Sequence, residues 1–136
     1  MRAKDIKYIV IHCSDSPHGR GDNAETIHRW HLDKKWDGIG YHKVILEDGT
    51  VENGRPLYWS GAQAKGFNAV SWGVVMIGQG TYTPQQWMSL RNEIYNLLEL
   101  APQAKIVGHN DLDSGKECPM FDVQAWWNSL GIKKPT

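Results

Sequence analysis

Apolar and polar positions follow two different periods along the chain, and the period assigns most of its elements. Residues 6–12 form an apolar, β-branched run too short for a helix. It reads as a buried strand that delivers His12 to its end and gives way to a polar loop with Pro17, Gly19 and Gly21. Asn23 is suited to cap a helix running to about Lys34, with Ile27, Trp30 and His31 on one face at i, i+3 and i+4. The segment Asp37-Gly38-Ile39-Gly40 ends that helix. Residues 42–47 and 50–52, joined by Asp48-Gly49, carry the signal of a hairpin with a type I′ turn. Residues 54–69 make a loop of a length that a small domain seldom keeps unless it is used.

A second strand is expected over residues 72–77. Thr83, Pro84 and Gln86 then supply a cap, a proline at the first helical position and a glutamine three residues after the cap. The helix they open has the stripe Trp87, Leu90, Ile94, Leu97 and Leu98 and stops before Pro102. Residues 105–109 read as another short strand, ending on His109, followed by a loop over 110–121. Asp122 caps a last helix to about Leu130, and the tail from Lys133 is expected to fray.

A length of 136 residues suits one domain with a real core. Lys plus Arg and Asp plus Glu number 15 each, so no global field favours nucleic acid or a membrane surface. Neither partner is expected. Cys13 and Cys118 are too few for a disulfide scaffold and fit a reducing compartment. The chain shows no signal-peptide core and no apolar run of about 18 residues. A soluble monomer made in the cytoplasm, without stable membrane association, is the expectation. Of the seven tryptophans, Trp30, Trp87 and one of Trp126 and Trp127 fall on helical stripes and read as packing. Trp36, Trp59 and Trp72 lie in or beside loops, where at least one could wall a cleft.

Two strands that each finish on a histidine, with Cys118-Pro119 in the loop after the second, can bring three metal donors to one sheet edge. Zinc takes imidazole and thiolate well, and three protein ligands leave a position for water, whose pKa falls to about 7. Because strand side chains alternate, Cys13 points away from the face of His12 and is assigned to the core. The wide separation of His12 and His109 matches no short zinc motif, and histidines buried for structural reasons are the commoner occurrence. The company of Tyr41 and Lys116 changes the weight. A nucleobase deaminase is not indicated, because its Cys-x-x-Cys pair is absent. A structural zinc site would need a fourth ligand, which Asp111 or Asp113 could supply. His18, His28 and His31 are not read as ligands, and His42 is expected to pack or to make a supporting hydrogen bond.

IVIHCS, GIGYHKVILEDGTVENGR, AKGFN, WGVVMIG, TPQQWMSLRNEI and GHNDLDSGKECPMFD, in that order, resemble the type-2 N-acetylmuramoyl-L-alanine amidases, phage endolysins above all. The resemblance implies an α/β fold over residues 1–136, a single domain with a mixed central β-sheet flanked by about three helices, shared with the peptidoglycan recognition proteins. It implies one zinc ion on His12, His109 and Cys118, with Tyr41 and Lys116 catalytic. The reaction implied is attack of an activated water on the amide carbonyl between N-acetylmuramic acid and L-alanine. Lys116 would stabilise the oxyanion, and Tyr41 would orient the water or move a proton to the leaving amine. Gln63 stands where close phage relatives often carry a histidine. Gln63, Lys65 and Asn68 are candidates for substrate contact, with a solvated loop as the alternative.

The implied partner is peptidoglycan or a muropeptide, reached by an endolysin only through a permeabilised membrane. A non-catalytic muropeptide-binding module and a cytoplasmic muropeptide-recycling amidase are the competing readings.

Overall fold

A computed structural model describes residues 1–132. The first apolar run forms β1 (Tyr8–Cys13), the strand around which the sheet is built. It is joined by β2 (Lys43–Ile45), β3 (Val51–Asn53), β4 (Ser71–Met76) and β5 (Lys105–Gly108). The order across the sheet is β3-β2-β4-β1-β5. Only β2 and β3 pair antiparallel; β2 with β4, β4 with β1, and β1 with β5 are parallel. Neighbours on both edges and helices on both faces explain why β1 and β4 read as continuous apolar runs.

The helices are α1 (Ala24–Asp33), α2 (Pro84–Leu100), the short α3 (His109–Leu112) and α4 (Val123–Ser129). Asn23 with Thr26, and Thr83 with Gln86, close reciprocal capping boxes at the starts of α1 and α2. Each satisfies backbone N–H groups that the first turn leaves without partners. Ile9, Ile11 and Cys13 face the larger core, where they meet Leu90, Ile94, Leu97 and Leu98 of α2 and Val123 and Trp127 of α4. Val44 and Val75 face the other way and pack with Ile27 of α1, Ile39 and Ile77. Burying each such side chain contributes roughly 1.5–3 kcal/mol, enough to hold α1 on one face of the sheet and α2 with α4 on the other.

The structure differs from expectation at several points. The hairpin turn is not type I′, which needs positive φ at both central residues. Gly49 (φ +89°) has it and Asp48 does not, and the Gly49 N–H donates to the Leu46 carbonyl, the pattern of a type I turn closed by a left-handed glycine. The last parallel strand stops at Gly108, because the Asp111 carboxylate accepts the Gly108 N–H and starts α3 on His109. Trp72 is buried within β4, its indole N–H on the Leu57 carbonyl, and cannot wall a cleft. The expected fraying of the tail lies outside the described residues. Among those described, no helix is long and apolar enough to cross a membrane.

Candidate active site

His12 is the penultimate residue of β1, and His109 follows β5 directly. Since these are neighbouring parallel strands, both imidazoles arrive at the carboxyl-terminal edge of the sheet, where open α/β sheets hold ligands. Their ring centroids are 4.6 Å apart. Tyr41 closes the group, its ring centroid 4.9 Å from that of His12.

The approach of Tyr41 is set by two histidines on α1. His28 and His31 accept the N–H groups of Ile39 and Gly40 on their Nδ1 atoms, at 3.0 and 2.9 Å. Gly40 runs so close to the next loop that a Cβ there would sit 2.1 Å from the Ala62 carbonyl oxygen. These contacts fix the chain one residue before Tyr41. A cavity of about 270 Å³ opens beside it, lined by Ser14, Ile27, Trp30, His31, Lys34 and Tyr41. His42 faces away from Tyr41 and bonds backbone, its Nδ1 accepting from Gly73 and its other nitrogen bonding the Trp59 carbonyl. A second cavity, of about 410 Å³, includes His28, Ile39, Arg55 and Trp59 in its wall. Trp36 and Trp59 remain 40% and 53% exposed.

Cys118 comes from the loop after α3, anchored by the Asn110 N–H on its carbonyl at 2.9 Å. Its sulfur lies 2.9 Å from that of Cys13, which belongs to the larger core as alternation requires. Lys116 is exposed on the same loop. Its ammonium is close enough to lower the pKa of both His109 and Cys118.

Burial, then the neighbouring His109, pulls the His12 pKa down to about 3. Burial, then Lys116, lowers that of His109. Both rings are neutral near pH 7, the form in which imidazole donates to a metal. The two thiols share their protons: the hydrogen bond from Cys13 brings Cys118 down to about 7, and the same bond holds the Cys13 proton in place. Burial, then the thiolate charge at Cys118, pushes the Tyr41 phenol above its ordinary range, so it stays a hydrogen-bond donor.

Two neutral imidazoles and a readily ionised thiol are a donor set that suits zinc. Among the described residues, no three histidine, cysteine or acidic side chains converge on one point as placed. The reason at Cys118 is visible, since its sulfur is engaged with Cys13. Asp111 and Asp113 are committed to the N–H groups of Gly108 and Gly115, which counts against either as a fourth ligand. Of the three loop residues, Lys65 is exposed, while Asn68 accepts the N–H groups of Gln63 and Ala64. Gln63 is only 9% exposed and lies against His12. Ser71 and Gly73, which shape its surroundings, carry no signal in the sequence as a site.

A family model described as N-acetylmuramoyl-L-alanine amidase matches residues 2–121. The chain belongs to that amidase family. It is 33% identical over 133 residues to the endolysin of Enterobacteria phage K11, covering 92% of this chain and 87% of that protein. To the endolysin of Escherichia phage T7 it is 35% identical over 127 residues, covering 88% of this chain and 83% of that one. The solved endolysin N-acetylmuramoyl-L-alanine amidase LysCS of Clostridium intestinale superposes with a TM-score of 0.84 at 29% identity, over 96% of this chain and 87% of that chain. Drosophila PGRP-LB gives a TM-score of 0.78 at 28% identity, over 91% and 80% of the two chains. This amidase thus keeps the mixed sheet and flanking helices expected from its motifs.

Proposed function

We propose that residues 1–136 act as one catalytic domain that hydrolyses the amide bond between N-acetylmuramic acid and L-alanine, with one zinc ion on His12, His109 and Cys118. The observation that carries this reading is the pair of neutral imidazoles 4.6 Å apart at the ends of adjacent parallel strands, in a chain of the amidase family. Bound zinc would supply Lewis acidity toward the amide oxygen and lower the pKa of water to about 7.

The chain's own groups account for the rest. Tyr41 Oη keeps its proton, so it can hold the attacking water by donation and pass a proton toward the leaving amine. Lys116 Nζ is an exposed cation beside the site and is suited to the charge that develops on the carbonyl oxygen. The cavity beside Tyr41 offers Trp30 and His31 as walls for the substrate. The endolysin relatives support a lytic role, and we propose that the protein acts as a monomer that reaches the wall once the membrane is permeabilised.

Mass spectrometry of purified sacculi digested with the protein tests the proposal. New L-alanine amino termini and intact glycan strands are expected, with release abolished by a chelator and restored by zinc. Cleavage elsewhere would overturn the assigned bond. Co-sedimentation with sacculi without new amino termini would identify a binding module instead.

A further inference from the structure

We infer that Gln63 is a positioning residue that selects the tautomer of His12, leaving Nδ1 as the nitrogen that faces the metal. The inference rests on the zinc reading above and goes beyond it to the residue that decides which ring nitrogen ligates.

A chain of three hydrogen bonds fixes the direction. The Ser71 hydroxyl lies 2.7 Å from the Phe67 carbonyl oxygen. A carbonyl can only accept, so Ser71 places its single hydrogen there. What Ser71 Oγ then offers Gln63, 2.7 Å from the Gln63 side-chain nitrogen, is a lone pair. The amide must turn its NH₂ to Ser71, and its oxygen faces His12 Nε2 at 2.5 Å. An amide oxygen cannot donate, so the hydrogen of this bond belongs to Nε2 and the lone pair of the neutral ring is on Nδ1. Reversing the amide would draw the Ser71 hydrogen away from Phe67 and set two acceptor oxygens 2.7 Å apart, although the Phe67 carbonyl would keep the Val70 N–H. The network thus assigns an orientation that heavy atoms alone leave ambiguous.

The backbone is shaped to admit this contact. Ser71, Gly73 and Val75 lie on the sheet face of His12, which pairs with Val75 in register. A Cβ at Gly73 would lie 2.7 Å from Gln63 Cγ and 2.9 Å from Gln63 Oε1, so the missing side chain is the space Gln63 crosses. Asn68 Oδ1 holds the N–H groups of Gln63 and Ala64, each at 2.9 Å, and keeps the loop over that gap. Metal-bound histidines are commonly oriented by a partner on the other ring nitrogen, and losing that partner costs roughly 10–100-fold in metal affinity or activity.

The test combines a spectrum and a titration. In metal-free wild-type protein labelled with nitrogen-15 at histidine, long-range proton–nitrogen correlations should show His12 protonated at Nε2 and bare at Nδ1. Gln63→Leu should mix the tautomers and weaken zinc binding roughly 10–100-fold in chelator competition, with KM for a soluble muropeptide unmoved. Gln63→Glu, which keeps an acceptor, should recover most of the affinity. Gly73→Ala should weaken zinc binding in the same direction without altering a donor. A wild-type His12 protonated at Nδ1 overturns the inference without any variant. Unchanged zinc affinity in folded Gln63→Leu, with a raised KM, also overturns it and makes Gln63 a substrate contact. A wild-type chain that binds no zinc overturns the metal reading, and this role with it.

Discussion

The sulfur of Cys118 lies 2.9 Å from that of Cys13, although only one of the two can join His12 on its own face of the sheet. Cys13 is buried in β1 with Ile9, Ile11 and Met76 in the larger core, whereas Cys118 is only partly buried and sits on a loop, which makes it the thiol that can be redirected toward His12 with less disturbance. Cys118→Ser is therefore expected to lose stoichiometric zinc, and Cys13→Ala to retain it. Metal content after dialysis checks both. Zinc retained in the first and lost in the second would exchange their roles.

Lys116→Ala should leave zinc content unchanged and lower kcat by roughly 10²–10³, the range found when one oxyanion donor is removed. Lys116 is exposed, so the fold should not change. Turnover at the wild-type rate would exclude the oxyanion role.

Tyr41→Phe should also keep zinc and reduce kcat, by about 10² if the phenol acts in proton transfer. Because burial raises the Tyr41 pKa, an alkaline fall in rate below pH 10 should have the same midpoint in wild type and variant. A midpoint that shifts with the substitution would show that the phenol titrates within the working range.

Stability of the metal-free protein should fall as acid is added, and His31 and His42 should contribute beside the two ligand histidines, whose pKa values are also lowered. Burial, then Lys34, lowers the His31 pKa from 6.5 to about 4, and burial lowers that of His42. Each also accepts a backbone N–H, from Gly40 and Gly73, which a protonated ring cannot do. Below pH 6.5 the unfolded chain binds protons that the folded chain refuses. The stability contributed by the neutral rings is thus complete above that pH and declines toward about pH 4. Denaturant midpoints of the metal-free protein should drop across this window, less steeply in His31→Gln. A flat dependence would refute the assignment.

Gly40→Ala should destabilise by about 2–3 kcal/mol, since overpacking against a fixed backbone has little room to relax. The added Cβ would meet the Ala62 carbonyl at 2.1 Å. A thermal midpoint equal to wild type would mean that the 38–41 segment yields easily.

How legible each feature was depended on how local its cause is. The capping boxes at Asn23 and Thr83, the strands ending near His12 and His109, and the burial of Cys13 all follow from neighbours within a few residues. The hairpin turn was misread because Asp-Gly serves two turn geometries, and only φ at Asp48 separates them. The α3 turn depends on one carboxylate reaching back three residues. Trp72 borders a loop in sequence yet is the second residue of a buried strand. Gln63 was the least legible, because its contact exists only through the register that sets Ser71 and Gly73 beside His12. The same holds for His28 and His31, whose partners Ile39 and Gly40 lie across a turn.

The place of β1 between β4 and β5 has a consequence for synthesis. The strand emerges from the ribosome first, but one edge waits for residues 71–76 and the other for 105–108. Such high contact order slows folding and leaves an apolar strand unpaired on the nascent chain. The edge that brings His12 beside His109 thereby cannot be completed until residues 105–108 have left the ribosome.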